Sequence, residues 1–336
     1  MVIKLDLEKA YDKMNWCFLL QVLRNFGFDN KWIDWVEACF TSPNMAVLVN
    51  GRPQENFKME KGLRQGDPLS PYLFILGLEV LSRIISKFCD EKKIHGIKLA
   101  RTAPPLSHLF FADDIFIFGR ANMEEANNLA ECLKLFSELL GQVISLHKSN
   151  IIFSKNVSTN SKREIMATLR LEELKENAKY LGLPLVHTRR RGQDFEDILD
   201  KLDSLLAGWK TRCLSRAGRL TLIKSVGQAL PLYAMQTTAL PKKSCKEIDS
   251  ILRRFWWGHK SNVQRGLCLK SWDSCCLPKD FGGLGLRKAY DVNLALLAKW
   301  GWNLLIGKDT LCCSILKAKY LKNSSFLDVK KNGSDS

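Results

Sequence analysis

Residues 109–118 read Leu-Phe-Phe-Ala-Asp-Asp-Ile-Phe-Ile-Phe, an apolar run that carries two adjacent carboxylates. Burying Asp113 and Asp114 in such a run costs free energy unless a partner compensates their charge. The aromatic and β-branched residues on either side predict two short strands, so the aspartate pair falls at the turn of a hairpin. Carboxylates presented at the end of apolar strands are oxygen ligands that suit Mg²⁺ or Mn²⁺.

Strands and helices are both predicted along the first half of the chain. Strands are expected over residues 2–7, 46–49, 57–59 and 143–153, and helices over residues 13–26, 30–40, 71–88 and 123–140. Turn and cap signals agree with these bounds, with a hairpin at Asn50-Gly51, Pro71 in a first helical turn and Gly141 after a helix. The pattern predicts an α+β fold, an antiparallel sheet backed by helices.

The second half changes character at Arg189-Arg190-Arg191-Gly192, which is the predicted domain boundary. Helical periodicity covers residues 194–209, 216–230, 243–257 and 288–305. We therefore predict three parts: an α+β domain over residues 1–188, a helical region over 189–258, and a basic helical extension over 259–336. The polar tail over residues 328–336 is expected to be frayed.

Charge separates the two halves of the chain. Residues 1–150 hold 18 basic and 18 acidic residues, so the whole formal net charge of +16 lies in the remainder. A basic half next to a neutral half with exposed carboxylates predicts a polyanion binder attached to a metal site, and a merely basic surface is the alternative. The 336 residues, 46% of them hydrophobic, suffice for one large or two medium domains.

Targeting segments and cysteine spacing exclude several classes of protein. The N-terminus turns charged too early for a secretory signal, and the most apolar run, residues 71–81, is too short to span a membrane. The 11 cysteines form no Cys-x-x-Cys pair, and the five histidines are scattered. We expect an intracellular protein with reduced thiols and without zinc.

Asp6 is a third candidate carboxylate, because it ends an apolar strand as the aspartate pair ends another. If those two strands lie side by side, Asp6 comes close to Asp113. Three carboxylates there could hold two Mg²⁺ ions, typically ~3.5–4 Å apart. One ion would lower the pKa of an attacking hydroxyl and the other would neutralise a leaving pyrophosphate. Asp114 has the alternative of an ordinary turn residue.

The loop over residues 62–71 offers a surface for a nucleotide or a template. Gly62 and Gly66 allow the backbone to approach a ligand closely, because they lack a Cβ atom. Gln65 both donates and accepts hydrogen bonds, and Arg64 could contact a phosphate.

Six stretches in this order resemble motifs of the reverse transcriptase of non-LTR (LINE-type) retrotransposons, in the version widespread in plant genomes. They cover residues 4–12, 63–71, 111–114, 146–149, 180–182 and 255–258. Any one motif is a weak signal, whereas the ordered set is strong. The resemblance implies that Asp6 and Asp113 are the principal metal ligands and that Asp114 is a supporting carboxylate. It also implies that Tyr11 is the steric gate that crowds a ribose 2′-OH.

Further roles follow from the same resemblance. Gln65 and Gly66 would border the template and the incoming nucleotide, together with Arg64. Lys148 would act near the leaving pyrophosphate. The stretch Tyr180-Leu181-Gly182 would form the primer grip.

The family resemblance implies an RNA-directed DNA polymerase that uses Mg²⁺, or Mn²⁺, for two-metal nucleotidyl transfer to a primer 3′-OH. Its partners would be an RNA template, a DNA primer and deoxynucleoside triphosphates, and it would act in the nucleus. The α+β domain would be the polymerase palm, followed by a helical thumb and the basic extension. Because the chain begins almost at Asp6, we expect an N-terminally truncated piece without fingers or endonuclease.

Two other functions remain open at the level of sequence. One is a catalytically silent remnant that at most binds nucleic acid through its basic half, and the other is a group II intron-type maturase. Tyr11 has the plainer alternative of a core residue, and Lys148 that of a solvated lysine. Helix packing is expected for Trp209, Trp256, Trp257, Trp300 and Trp302, surface or salt-bridge roles for Glu8 and Asp12, and structural roles for His147 and His187.

Overall fold

The computed structural model describes most of the chain as two compact units, residues 1–174 and 175–336. The described residues are 1–174, 179–180, 183–184, 192–208, 214–258, 268–321 and 324–328. The predicted boundary at Arg189 to Arg191 lies outside them. The three-part division of the chain therefore stays a prediction.

The first unit combines seven strands with five helices among its described residues, which confirms the predicted α+β class. The strands are β1 (Val2–Leu5), β2 (Asn44–Val49), β3 (Arg52–Lys58), β4 (His108–Phe111), β5 (Asp114–Phe118), β6 (Asn150–Ile152) and β7 (Glu172–Glu173). The helices are α1 (Trp16–Asn25), α2 (Asn30–Thr41), α3 (Ser70–Asp90), α4 (Met123–Leu140) and α5 (Thr159–Leu169).

A five-stranded sheet in the order β4-β5-β1-β6-β7 forms the centre of this unit. Strand β1 is antiparallel to both of its neighbours, β5 and β6, whereas β6 and β7 are parallel. Ile3 and Leu5 on β1 and Ile115 and Ile117 on β5 are buried in one hydrophobic core with residues of α1, α3 and α4. Because side chains alternate along a strand, burial of Ile3 and Leu5 directs Lys4 to the opposite face of the sheet.

Helix ends in the first unit follow the local signals. Helix α4 starts after Asn122, whose side chain accepts from the Glu125 amide, and ends at Gly141, which has φ of 68°. Helix α3 has Pro71 in its first turn, as predicted. Helix α5 is an addition to the prediction, and it begins after Ser158, whose hydroxyl accepts from the Ser161 amide.

The predicted strand over residues 143–153 is wrong for most of its length. Only β6 is extended, and residues 146–148 form a turn in which the Lys148 and Ser149 amides donate to the Ser145 carbonyl at 3.2 and 2.9 Å. A single bridge, Leu7 to Ile144, continues the sheet beyond β1. The apolar periodicity of this stretch therefore predicted a longer paired strand than the structure contains.

The second unit is mainly helical in the residues that the structure describes. Two short strands, β8 (Lys179–Tyr180) and β9 (Leu183–Pro184), precede α6 (Glu196–Ala207), α7 (Arg216–Leu222), α8 (Leu232–Thr237), α9 (Lys242–Trp257), α10 (Trp272–Cys276), α11 (Ala289–Leu305) and α12 (Leu311–Leu316). Leu202, Ile248, Leu252 and Trp272 share its hydrophobic core. Across the described ranges of the chain, every helix is too short or too polar to cross a membrane.

Candidate active site

Asp6 directly follows β1 and Asp114 begins the neighbouring strand β5, so both residues lie at the same edge of the sheet. Leu5 pairs with Ile115 across β1 and β5, so the next position in register places Asp6 opposite Asp114. Lys4 shares this face, because its Nζ lies 3.7 Å from Asp114 Oδ1. These two carboxylates, separated widely in sequence, are therefore brought together by strand pairing.

Asp113 occupies the turn of the β4–β5 hairpin. Phe111 pairs with Asp114, which leaves Ala112 and Asp113 as the two turn residues. The sequence placed both aspartates in the turn, whereas Asp114 is the first residue of β5. Ala112 adopts a left-handed conformation with φ of 52°, which is unusual for a residue with a Cβ atom. Two-residue hairpins favour such backbone angles, so pairing register decides the conformation here.

Tyr11 packs against the hydrophobic core, and the Asp113 carboxylate is close enough to affect its hydroxyl. Its ring stacks on Phe74, with centroids 4.7 Å apart and an interplanar angle of 16°. Burial raises the pKa of the Tyr11 hydroxyl, and the nearby Asp113 carboxylate raises this pKa further. Tyr11 is thus half-buried, as a core tyrosine would be, and also close to a candidate ligand.

The start of the loop over residues 62–69 is attached to the turn that carries Tyr11. The Leu63 amide donates to the Tyr11 carbonyl at 2.8 Å, and the Gly62 amide donates to the Met14 carbonyl at 2.7 Å. Trp16 Nε1 donates to the Gly62 carbonyl at 2.6 Å. Gly62 has φ of 90°, and a Cβ atom there would lie 2.6 Å from the Asp12 carbonyl oxygen. Only glycine fits this close approach.

The rest of this loop points its predicted contact residues outward. Arg64, Gln65 and Gly66 are exposed, and Gln65 Nε2 lies 3.5 Å from Asp12 Oδ1. Gly66 has φ of 91° and open space around the position of a Cβ atom. The Asp67 carboxylate accepts from the Leu69 amide at 2.8 Å, which leads the chain into α3. The loop therefore has an anchored base and an accessible tip.

Lys148 and Ser149 contact Asp6 from the turn before β6. Lys148 Nζ lies 3.9 Å from Asp6 Oδ1, and 72% of its side chain is exposed. The Ser149 hydroxyl accepts from the Asp6 amide at 3.0 Å, while the Ser145 amide donates to the Asp6 carbonyl at 2.9 Å. The sequence interpretation missed Ser149 and Lys4. For Lys4, its position two residues before Asp6 in a strand was the available signal.

The carboxylate oxygens at this edge have the donor chemistry that Mg²⁺ and Mn²⁺ prefer. Among the described residues, however, no three His, Cys, Asp or Glu side chains lie close enough to hold an ion. Lys4 and Lys148 instead supply the positive charge beside Asp114 and Asp6. Asp6, Asp113 and Asp114 thus fit a hard cation chemically, and their action as one ligand set stays a prediction.

The remaining predicted residues give mixed results. Leu181 and Gly182 lie outside the described residues, as do Trp209 and His187, and the backbone of Tyr180 pairs with Leu183. Lys13 Nζ lies 2.8 Å from Glu8 Oε2, which confirms the predicted salt-bridge role of Glu8. His147 is exposed.

The tryptophans of the second unit differ from one another. Trp256 is buried, and the Arg216 guanidinium lies 5.4 Å from its ring and 5.2 Å from the Trp257 ring. Trp300 Nε1 donates to the Gln236 carbonyl at 2.9 Å. These contacts confirm helix packing for Trp256 and Trp257, whereas Trp302 is 61% exposed and its predicted packing is wrong.

The chain is similar to several known proteins. The family model described as reverse transcriptase (RNA-dependent DNA polymerase) matches residues 1–185. An Arabidopsis thaliana protein, by its name a ribonuclease H protein, is 38% identical over 138 residues, which are 41% of this chain and 22% of that protein. The Pol polyprotein of the type-2 retrotransposable element R2DM of Drosophila melanogaster is 27% identical over 267 residues, covering 76% of this chain and 24% of that protein.

The chain spans about a quarter of the length of these two relatives, 22% and 24%. A solved telomerase structure from Candida tropicalis, in complex with a fragment of telomeric RNA, has a TM-score of 0.41 and 14% identity, over 76% of this chain and 43% of that chain. The family match covers more than half of the chain, including β1, the loop over residues 62–69 and the β4–β5 hairpin. The chain therefore belongs to the reverse transcriptase family, and its relatives include the Pol polyproteins of non-LTR, R2/LINE-type retrotransposons.

Proposed function

We propose that the chain carries the catalytic centre of an RNA-directed DNA polymerase of a LINE-type retroelement. It would extend the 3′-OH of a DNA primer along an RNA template with deoxynucleoside triphosphates. The observation that carries this proposal is the register of β1 and β5, which sets Asp6 opposite Asp114 beside the Asp113 turn. Membership of the reverse transcriptase family supports the reaction class.

Asp6 and Asp113 would be the principal ligands of Mg²⁺, with Mn²⁺ as a substitute, and Asp114 would support them. When bound, a pair of such ions lowers the pKa of the attacking hydroxyl and neutralises charge on the leaving pyrophosphate. Lys148 is exposed beside Asp6, so its ammonium group could bind a departing phosphate. Lys4 would balance the charge of Asp114 within the folded sheet.

Tyr11 would select deoxynucleotides by crowding a ribose 2′-OH. Its ring stacks on the fully buried Phe74, so it has little freedom to move away from a bulkier sugar. Arg64, Gln65 and Gly66 are exposed at the tip of the neighbouring loop, where they could border the template and the nucleotide. The primer grip would be formed by Tyr180, Leu181 and Gly182. We place the palm over residues 1–188, the thumb over 189–258 and the extension over 259–336, acting in the nucleus.

A catalytically silent remnant that binds nucleic acid is the second candidate. The observation that favours it is the charge distribution, because the whole excess of +16 lies beyond residue 150. Such a protein would bind through phosphate contacts and lose affinity steeply with salt. It would need none of the three aspartates.

Primer extension on poly(rA)/oligo(dT) with Mg²⁺ or Mn²⁺ distinguishes the two candidates. The polymerase proposal expects Asp113→Asn to lower extension at least ~100-fold while the fold is kept, because a ligand becomes a neutral amide. Glu138→Gln is the matched control, since the Glu138 side chain is 61% exposed on α4 and its ion pair with Lys134 is long, at 3.9 Å. Extension that does not depend on Asp113, or salt-sensitive binding without extension, would favour the remnant.

A further inference from the structure

Gln142 is a buried polar residue beside the candidate active site. It follows Gly141 at the end of α4 and is 1% exposed. Its Nε2 donates to the Ala10 carbonyl at 2.9 Å, whereas its Oε1 has no hydrogen-bond partner among the described residues. A buried amide oxygen without a partner costs free energy. Stability of the fold alone therefore does not explain why a glutamine occupies position 142.

The orientation of the Gln142 amide follows from its partner. Turning the amide over would place Oε1 against the Ala10 carbonyl oxygen, and two acceptors do not form a hydrogen bond. Two further backbone contacts join the same segments. The Glu8 amide donates to the Val143 carbonyl at 2.8 Å, and Leu7 forms a β-bridge with Ile144. Residues 142–144 therefore run beside residues 7–10.

Both peptide groups that flank the Tyr11 Cα atom are held from outside their own turn. The preceding carbonyl, that of Ala10, accepts from Gln142 Nε2 at 2.9 Å. The following carbonyl, that of Tyr11 itself, accepts from the Leu63 amide at 2.8 Å. Because these two peptide planes set the backbone angles of Tyr11, they also set the direction in which its ring leaves the backbone.

We propose that Gln142 is a positioning residue that fixes the Tyr11 ring and thereby sets discrimination between deoxynucleotides and ribonucleotides. The inference rests on the proposed role of Tyr11 at the sugar. Selection by crowding depends on distance, so a ring displaced by about 1 Å loses much of its effect. Phe74 supports the ring from the core side, and Gln142 supports the backbone from the sheet side.

Gln142→Met tests the proposal, because methionine has a similar volume and cannot donate to Ala10. It removes the bond and also the unpartnered Oε1, so the loss and the gain in stability largely offset each other. We expect an almost unchanged melting temperature and about a tenfold fall in the ratio of deoxynucleotide to ribonucleotide incorporation. The control is Ile165→Val, which trims a fully buried residue of the same core and should leave the ratio unchanged.

Hydrogen exchange gives a readout that needs no turnover. The amides of Lys13, Met14 and Leu63 donate to carbonyls of the Tyr11 turn at 3.1, 3.4 and 2.8 Å. They should exchange at least about threefold faster in Gln142→Met than in Ile165→Val. Equal exchange in the two variants would overturn the proposal, whether or not the chain polymerises.

A comparison with Tyr11→Ala separates this proposal from the function on which it rests. If Tyr11→Ala leaves the incorporation ratio unchanged, the role of Tyr11 as a sugar gate is wrong. If Tyr11→Ala lowers the ratio and Gln142→Met does not, the gate stands and the positioning role of Gln142 is wrong. A lower ratio in both variants supports the proposal.

Discussion

Two turns meet at the candidate active site, and they are held in different ways. The turn around Tyr11 is fixed by long-range hydrogen bonds from Gln142 and Leu63. The Ala112-Asp113 turn is exposed and is placed by the pairing of β4 with β5. The proposed site would therefore combine a turn held by hydrogen bonds, for selection, with an accessible turn, for ligands. Changes to the turn around Tyr11 should alter selection or stability, and changes to the hairpin should alter chemistry.

The largest effect on the turn around Tyr11 is expected from Gly62→Ala. A Cβ atom at Gly62 would meet the Asp12 backbone at 2.6 Å, and φ is 90°. We expect a loss of about 3 kcal/mol in the free energy of unfolding, from backbone strain and the clash together. Gly66→Ala is the matched control, because φ is 91° with nothing within 4 Å. Denaturant unfolding should show that Gly66→Ala lowers the free energy of unfolding by only about 1 kcal/mol. Equal losses in the two variants would show that the close contact between Gly62 and Asp12 does not hold this turn.

The lysines on the two sides of the site should act differently on metal dependence. Lys4 Nζ lies 3.7 Å from Asp114 Oδ1, so it would compete with a cation for that carboxylate. Lys4→Met should therefore lower the Mg²⁺ concentration that half-saturates extension about fivefold. Lys148→Met should shift this concentration less, because the Lys148 side chain is 72% exposed and solvent screens its pair with Asp6. It should instead lower the rate at saturating Mg²⁺, because Lys148 would bind the pyrophosphate. Equal shifts of the Mg²⁺ dependence in both variants would indicate a general charge effect and contradict the assignment.

The exposed turn should respond to Ala112→Gly with opposite changes in stability and activity. Glycine relieves the left-handed angle of 52° and should stabilise the fold by about 0.5–1 kcal/mol. The freer turn should also lower extension about threefold, because it holds Asp113 less firmly. Lys92→Gly relieves a similar angle of 59° just after the C-terminal end of α3, the end opposite the loop over residues 62–69. If both variants gain stability and neither loses activity, turn rigidity has no role.

The smallest effect is a pH dependence that joins the two turns. Burial, and then the Asp113 carboxylate, raises the pKa of Tyr11 in the folded state. This contribution to stability is complete below the ordinary tyrosine pKa of about 10 and is lost as the pH rises through the raised value. Unfolding midpoints at about pH 8 and pH 11 should therefore fall more in the wild type than in Tyr11→Phe. The same drop in both proteins would show that the pKa of Tyr11 is not raised in the folded state.

Local signals in the sequence were sufficient for much of the first unit. The cap residues Asn122 and Gly141 delimit α4, and Asn50-Gly51 forms the predicted hairpin between β2 and β3. Alternation along residues 2–7 also predicted β1, although this strand ends at Leu5, one residue before Asp6. These features depend on neighbours in sequence or on strand periodicity, so sequence patterns report them well.

Long-range contacts were beyond such patterns. The bond from Gln142 to Ala10 joins residues 132 positions apart and leaves no periodic trace. The turn over residues 146–148 interrupts a stretch whose composition favours a strand. Ala112 takes the left-handed angle although aspartate tolerates it better, because the register of β4 and β5 decides the turn. Tertiary pairing outweighs local propensity at each of these places.

Affinity cleavage with Fe²⁺ tests directly whether Asp6 and the Asp113 turn form one cation site. Fe²⁺ replacing Mg²⁺ in the presence of ascorbate and peroxide cuts the backbone close to the bound ion, and mass spectrometry locates the cuts. Our account predicts cuts near both Asp6 and Asp113, competed by Mg²⁺ and lost together in Asp113→Asn. Cuts near only one of the two segments, or cuts that persist in Asp113→Asn, would contradict it.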